Sequence, residues 1–157
     1  MKKSLGYALI EILIVLSIIV LFSALSLAYY RGFDEQKKLD AETKQLIDIL
    51  NLASKKSSSA DLPPDLSCSN FLGYQVISMT TTTYTLRINC GGGYTDIQSY
   101  TLRTSLTFSG PLAAVLFNPI TAEANSSTFT LTNTVTNKCI YIQINPVGTV
   151  EERPNCP

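Results

Sequence analysis

The chain has 157 residues, 12 Lys and Arg against 12 Asp and Glu, no His, no Trp and four Cys, so its formal net charge is zero. That balance excludes a global electrostatic attraction for nucleic acid or acidic lipid, and the absence of His excludes a Ser-His-Asp or Cys-His site built from this chain alone. At 45% hydrophobic and 15% charged, against roughly 25% charged in an average soluble protein, the composition is apolar, and the apolar residues are concentrated near the start.

Residues 7–30 carry one charge, Glu11, and residues 12–30 carry none. About 20 helical residues cross a bilayer core of ~30 Å, so this run predicts a transmembrane helix. Lys2 and Lys3 precede it and hold that end in the cytoplasm, which places everything after Arg31 outside. A carboxylate inside such a run costs about 2.5 to 3.5 kcal/mol on insertion scales and is rarely kept without a partner. Cutting the chain after Gly6 would supply one, because Tyr7 would then carry a new amino terminus. The rival is an ordinary secretory signal peptide with Ser26-Leu27-Ala28 as its small-x-small cleavage site. Against it, the apolar run is longer than the roughly 7 to 15 residues of a signal h-region, and an acid near its start would weaken it.

Lys2-Lys3-Ser4-Leu5-Gly6 followed by Tyr7-Ala8-Leu9-Ile10-Glu11 resembles the leader of type IV prepilins and pseudopilins, whose usual motif is Gly followed by Phe-Thr-Leu-Ile-Glu. The resemblance implies that residues 1–6 are a leader, cut between Gly6 and Tyr7 by a membrane-embedded prepilin peptidase on the cytoplasmic face, with N-methylation of Tyr7. It also implies that residues 7–30 remain attached as the transmembrane helix, and that Glu11 pairs with the amino terminus of a neighbouring subunit during assembly. Tyr7 and Ala8 depart conservatively from the commoner Phe and Thr. Residues 7–31 contain no Gly or Pro, whereas family members often carry a breaker there, which leaves open whether the helix melts on packing.

Residues 31–57 read as an amphipathic continuation of the helix. Leu39, Leu46, Leu50 and Ala53 fall at offsets 0, 7, 11 and 14 and share one face. Asp34/Lys38 and Asp40/Lys44 stand four apart, acid first, the orientation that supports a helix on a solvated face. Gly32 is either a hinge or absorbed in a continuous rod at about 1 kcal/mol relative to Ala. The run Lys55 to Ser59 followed by Pro63-Pro64 stops the helix near Ser57.

Residues 58–157 form the expected extracytoplasmic, β-rich head. Strands are predicted over 74–79, 83–89, 97–103, 113–117, 128–132 and 139–144, with turn formers such as Gly91-Gly92-Gly93, Ser109-Gly110-Pro111 and Asn145-Pro146 between them. The fold class is α+β and pilin-like: one long N-terminal helix, its second half packed as a lid on a small antiparallel sheet. Residues 114–119, 129–131 and 139–148 are similar to the H-type minor pseudopilins and FimT-like minor pilins. Some members of that group carry Arg after the Gly matching Gly148, a basic motif associated with DNA uptake. Here Thr149-Val150-Glu151-Glu152-Arg153 follows instead. Beyond Lys56 four basic residues, Arg87, Arg103, Lys138 and Arg153, face six acidic ones, so nucleic acid is disfavoured as a partner.

Cys68, Cys90, Cys139 and Cys156 lack CxxC spacing, which argues against zinc and leaves disulfides or free thiols. Of three connectivities, Cys68 to Cys90 and Cys139 to Cys156 are expected, because each pair brackets a candidate strand and closes a short loop. Gly91-Gly92-Gly93 lacks the Lys-Ser/Thr of a phosphate loop and reads as a turn. Asn125-Ser126-Ser127, a formal glycosylation triplet, reads as a surface loop. No convergent acid-base set supports a membrane-anchored enzyme, and no cofactor or metal is expected.

The reading is a minor pilin or pseudopilin, a structural subunit of a type II secretion pseudopilus or a type IV pilus. It would sit in the cytoplasmic membrane as a single-pass protein and then in an extracytoplasmic filament. The resemblance implies as partners other pilin or pseudopilin subunits, prepilin peptidase, a cytoplasmic-membrane assembly platform and the lipid bilayer. The alternative is a filament-borne binding module for a secreted substrate, a surface or DNA.

Overall fold

The computed structural model describes residues 5–64, 66–110 and 112–153, with helix side chains described over 9–23 and from 30 onward. A single helix, α1 (Leu5–Ser58), runs through the apolar segment and into the head. Gly32 is absorbed without a break: it is exposed and a Cβ there would meet nothing within 4 Å. The helix stops in a Schellman turn. Ala60 takes a left-handed φ of 49°, its N–H donates to Ser57 O at 3.1 Å, and Asp61 N–H donates to Lys56 O at 3.0 Å. Lys55 and Lys56 in the last turn favour the negative end of the helix dipole.

Eight strands follow: β1 (Phe71–Ser78), β2 (Thr83–Cys90), β3 (Gly93–Thr101), β4 (Leu106–Phe108), β5 (Ala114–Phe117), β6 (Ser127–Asn133), β7 (Cys139–Ile144) and β8 (Val150–Arg153). They build two antiparallel four-stranded sheets, ordered β3-β2-β1-β5 and β4-β6-β7-β8, and not the single small sheet expected. Two non-local returns make the difference. β5 comes back to pair with β1, setting Tyr74 opposite Phe117, while β4 pairs with β6 and not with the strand before it.

The four helix positions expected on one face, Leu39, Leu46, Leu50 and Ala53, are all completely buried. They lie against both sheets, since α1 contacts β1 and β5 of the first and β6, β7 and β8 of the second. Tyr74, Val76 and Phe117 from one sheet and Leu131, Ile142 and Ile144 from the other complete a single core. On β7 the alternation is clean, with Ile140, Ile142 and Ile144 inward and Tyr141 and Gln143 half-exposed.

Strand bounds depart from expectation where glycine is involved. Gly91 and Gly92 make a two-residue hairpin turn, and Gly93 already pairs with Cys90 at a φ of 143°. β3 therefore begins earlier than expected and ends before Leu102 and Arg103. At Gly73, φ is 124° and a Cβ would lie 1.9 Å from Phe117 O, so only glycine lets β5 approach β1 where it does.

Candidate functional site

The first half of α1 is described at its side chains over residues 9–23, and none of these is buried. Every described side chain from 9 to 23 is exposed, and its large apolar residues, from 46% at Ile18 to 68% at Phe22, show their surface on all sides of the helix. Glu11 stands exposed within this surface beside Ile12, Val15 and Leu16. Gly6 and Tyr7 fall in the first turn of α1, and their side chains lie outside the described residues. No helix among the described residues is long and apolar enough to cross a membrane. The described apolar stretch, 9–23, amounts to about 22 Å of helix, short of a ~30 Å hydrocarbon core.

Where the helix enters the head, Glu35 fastens it. Lys38 donates to its carboxylate at 2.7 Å, Ser105 at 2.5 Å and the fully buried Asn133 at 2.7 Å, while Asn133 Oδ1 accepts the N–H groups of Val135 and Thr136. Lys38 first, then the Ser105 hydroxyl and the Asn133 amide, hold the Glu35 carboxyl at about 2, well below its ordinary value. The expected Asp34/Lys38 pair is formed at 2.8 Å. Asp40 instead accepts a hydrogen bond from Gln36 at 2.9 Å. One turn beyond Leu39, Glu42 is almost wholly buried and meets Arg103 Nε at 3.0 Å, with burial pushing its carboxyl up despite that cation.

At the far end Ser57 plays the matching part. Its buried hydroxyl donates to Phe117 O and accepts Tyr74 N–H at 3.2 Å, tying the last helical turn to β5 and β1 together. Tyr74 OH donates to Asp61 O, and Lys56 pairs with the Asp61 carboxylate at 2.6 Å. Glu35 and Ser57 stand about 33 Å apart along the axis at 1.5 Å per residue. The helix is thus pinned to the head at both ends of its buried stripe, so a pull on the exposed half is delivered to both sheets.

The Cys68–Cys90 disulfide is formed, with Cα atoms 5.7 Å apart, and fastens the segment after the helix to the end of β2. Cys139 is disulfide-bonded, and its expected partner Cys156 lies outside the described residues. The sequon residue Asn125 is exposed, as a surface loop requires, yet its amide is engaged: Oδ1 accepts Leu116 N–H at 2.6 Å and Nδ2 donates to Ala114 O at 2.9 Å. Among the described residues no group of three His, Cys, Asp or Glu side chains converges as a metal set would.

Sequence reasoning missed Glu35 and Ser57. Both have partners 60 to 98 residues away, and nothing local distinguishes Ser57 from its serine neighbours. The chain matches no protein-family model, no curated protein and no solved structure.

Proposed function

We propose that this chain is a minor pilin or pseudopilin: a non-enzymatic subunit held in the cytoplasmic membrane by residues 7–30, processed between Gly6 and Tyr7, and assembled with other such subunits into a filament. The observation that carries the reading is the division of one unbroken helix. Its second half is clamped into a two-sheet head, and residues 9–23 of its first half show exposed apolar surface interrupted by one carboxylate. An apolar surface of that extent is stable only under cover, and lipid before assembly and neighbouring helices after it are two covers of the same chemistry. Glu11 is costly in lipid and useful once a neighbouring amino terminus pairs with it. The leader residues Lys2 to Gly6 supply the processing signal.

The Glu11→Ala variant separates the two stages. Removing the carboxylate should leave membrane insertion intact or improved and should sharply reduce recovery of the protein in sheared filaments. Normal incorporation of the variant would remove Glu11 from the assembly step.

A further inference from the structure

The two sheets expose four edge strands, and three of them are closed. On β5 the Asn125 side chain takes Leu116 N–H and Ala114 O, and Phe117 bridges to Ala124. β4 is three residues long and its Phe108 N–H is taken by Thr81 O at 2.7 Å. β8 has four residues, three of them the charged Glu151, Glu152 and Arg153. Short length, covered backbone and charge are the usual protections of a sheet edge against strand addition.

β3 has little of this protection. It is the longest strand, with nine residues, seven of them exposed, and Asp96 is its only charge. Among the described residues no backbone hydrogen bond reaches its outer edge. Its one irregularity is the bulge at Ile97, whose side chain is 42% exposed. Beside the edge, Tyr94 is stacked 3.9 Å from the Arg87 guanidinium, and Arg87 in turn donates to Gln75, which leaves Asp96 without an ion pair among the described residues.

We propose that β3 is a docking edge for an extended segment of a different polypeptide, added as a fifth strand to the first sheet. A row of free peptide groups matches another peptide backbone, and the unpaired Asp96 favours a segment with a basic residue opposite it. A second copy of this chain is the wrong occupant. Antiparallel pairing of β3 with itself requires a two-fold axis normal to the sheet, which reverses the second long helix, so two chains anchored from the same side cannot meet that way. This clause alone rests on the membrane reading above.

The test uses the full chain in detergent and, as probe, the heptapeptide Thr-Tyr-Thr-Leu-Arg-Ile-Asn, which copies residues 83–89, the strand that β3 already accepts on its inner side. Amide hydrogen exchange at the outward-facing half of β3 should be fast in the free protein and slow at least about tenfold with peptide. The same peptide with alternate amides N-methylated should give no protection. Ile97→Lys and Asp96→Lys should each weaken binding about tenfold or more, whereas Ile120→Lys, in a loop outside both sheets, should leave it unchanged. Using two edge variants keeps the test open if one of them fails to fold. Equal protection by the methylated peptide, no protection by the plain one, or edge variants that bind normally would each overturn the proposal. A β3-paired dimer of the chain alone would overturn the choice of occupant.

Discussion

The two halves of α1 share a backbone and differ in where their apolar residues point. From 9 to 23 they surround the helix and all are exposed, whereas in the second half Leu39, Leu46, Leu50 and Ala53 form one stripe that is completely buried. A stripe can be covered by the chain itself, and the two sheets do so. A helix that is apolar all round needs cover from outside the chain, because no single sheet face can enclose it. The same helix therefore belongs to two environments, and Glu35 marks the boundary between them: its carboxylate is bonded across to Ser105 and Asn133, and the residues just before it, 30 to 33, are exposed.

The comparison is broken most forcefully by truncating one leucine in each half. Leu46→Ala empties a fully buried position between the two sheets and should destabilise the head by about 2 to 5 kcal/mol. Leu16→Ala, in the exposed half, should change head stability by less than about 0.5 kcal/mol. Denaturation of the full chain in detergent, followed by tyrosine near-ultraviolet dichroism, reads both. Equal losses would mean that the halves are not independent.

Replacing Cys68 and Cys90 by Ser together comes next. The bridge closes a separation of 22 residues, so its loss should cost roughly 3 kcal/mol in the chain-entropy description. The same denaturation experiment measures it.

The smallest expected effect lies at the boundary. Glu35 has its carboxyl held at about 2, below the ordinary 4.5, by Lys38, Ser105 and Asn133. Its contribution is complete above pH 4.5 and is lost as pH falls toward 2. Glu42 works in the opposite direction: burial raises its carboxyl, so protonation on acidification favours the folded head. Stability measured from pH 6 to 2 should therefore fall less steeply for Glu35→Gln than for the unaltered chain. An identical slope would remove Glu35 from the clamp.

The helical stripe was legible because Leu39, Leu46, Leu50 and Ala53 recur at helical spacing, a signal that survives tertiary packing. The hairpin at Gly91 and Gly92 was legible through its turn residues. The second sheet was not. β4 is Leu-Thr-Phe, too short for alternation to register, and the return of β5 to β1 depends on Gly73 accepting a backbone approach that no local pattern announces. The buried charge at Glu42 was hidden for a related reason, since its partner Arg103 belongs to the loop after β3, and an acid on a helix otherwise reads as solvated. Of the candidate site, Glu11 could be singled out from sequence because one carboxylate in an uncharged run is conspicuous. The clamp at Glu35 and Ser57 required the fold.

The central claim, that residues 7–30 are a retained apolar segment and not a discarded one, is tested most directly by the intact mass of the protein extracted from membranes. The account predicts a chain that has lost residues 1–6, begins at Tyr7 and carries one added methyl group. A mature chain beginning at Tyr29 would contradict it, leaving a secreted head with no apolar helix to cover.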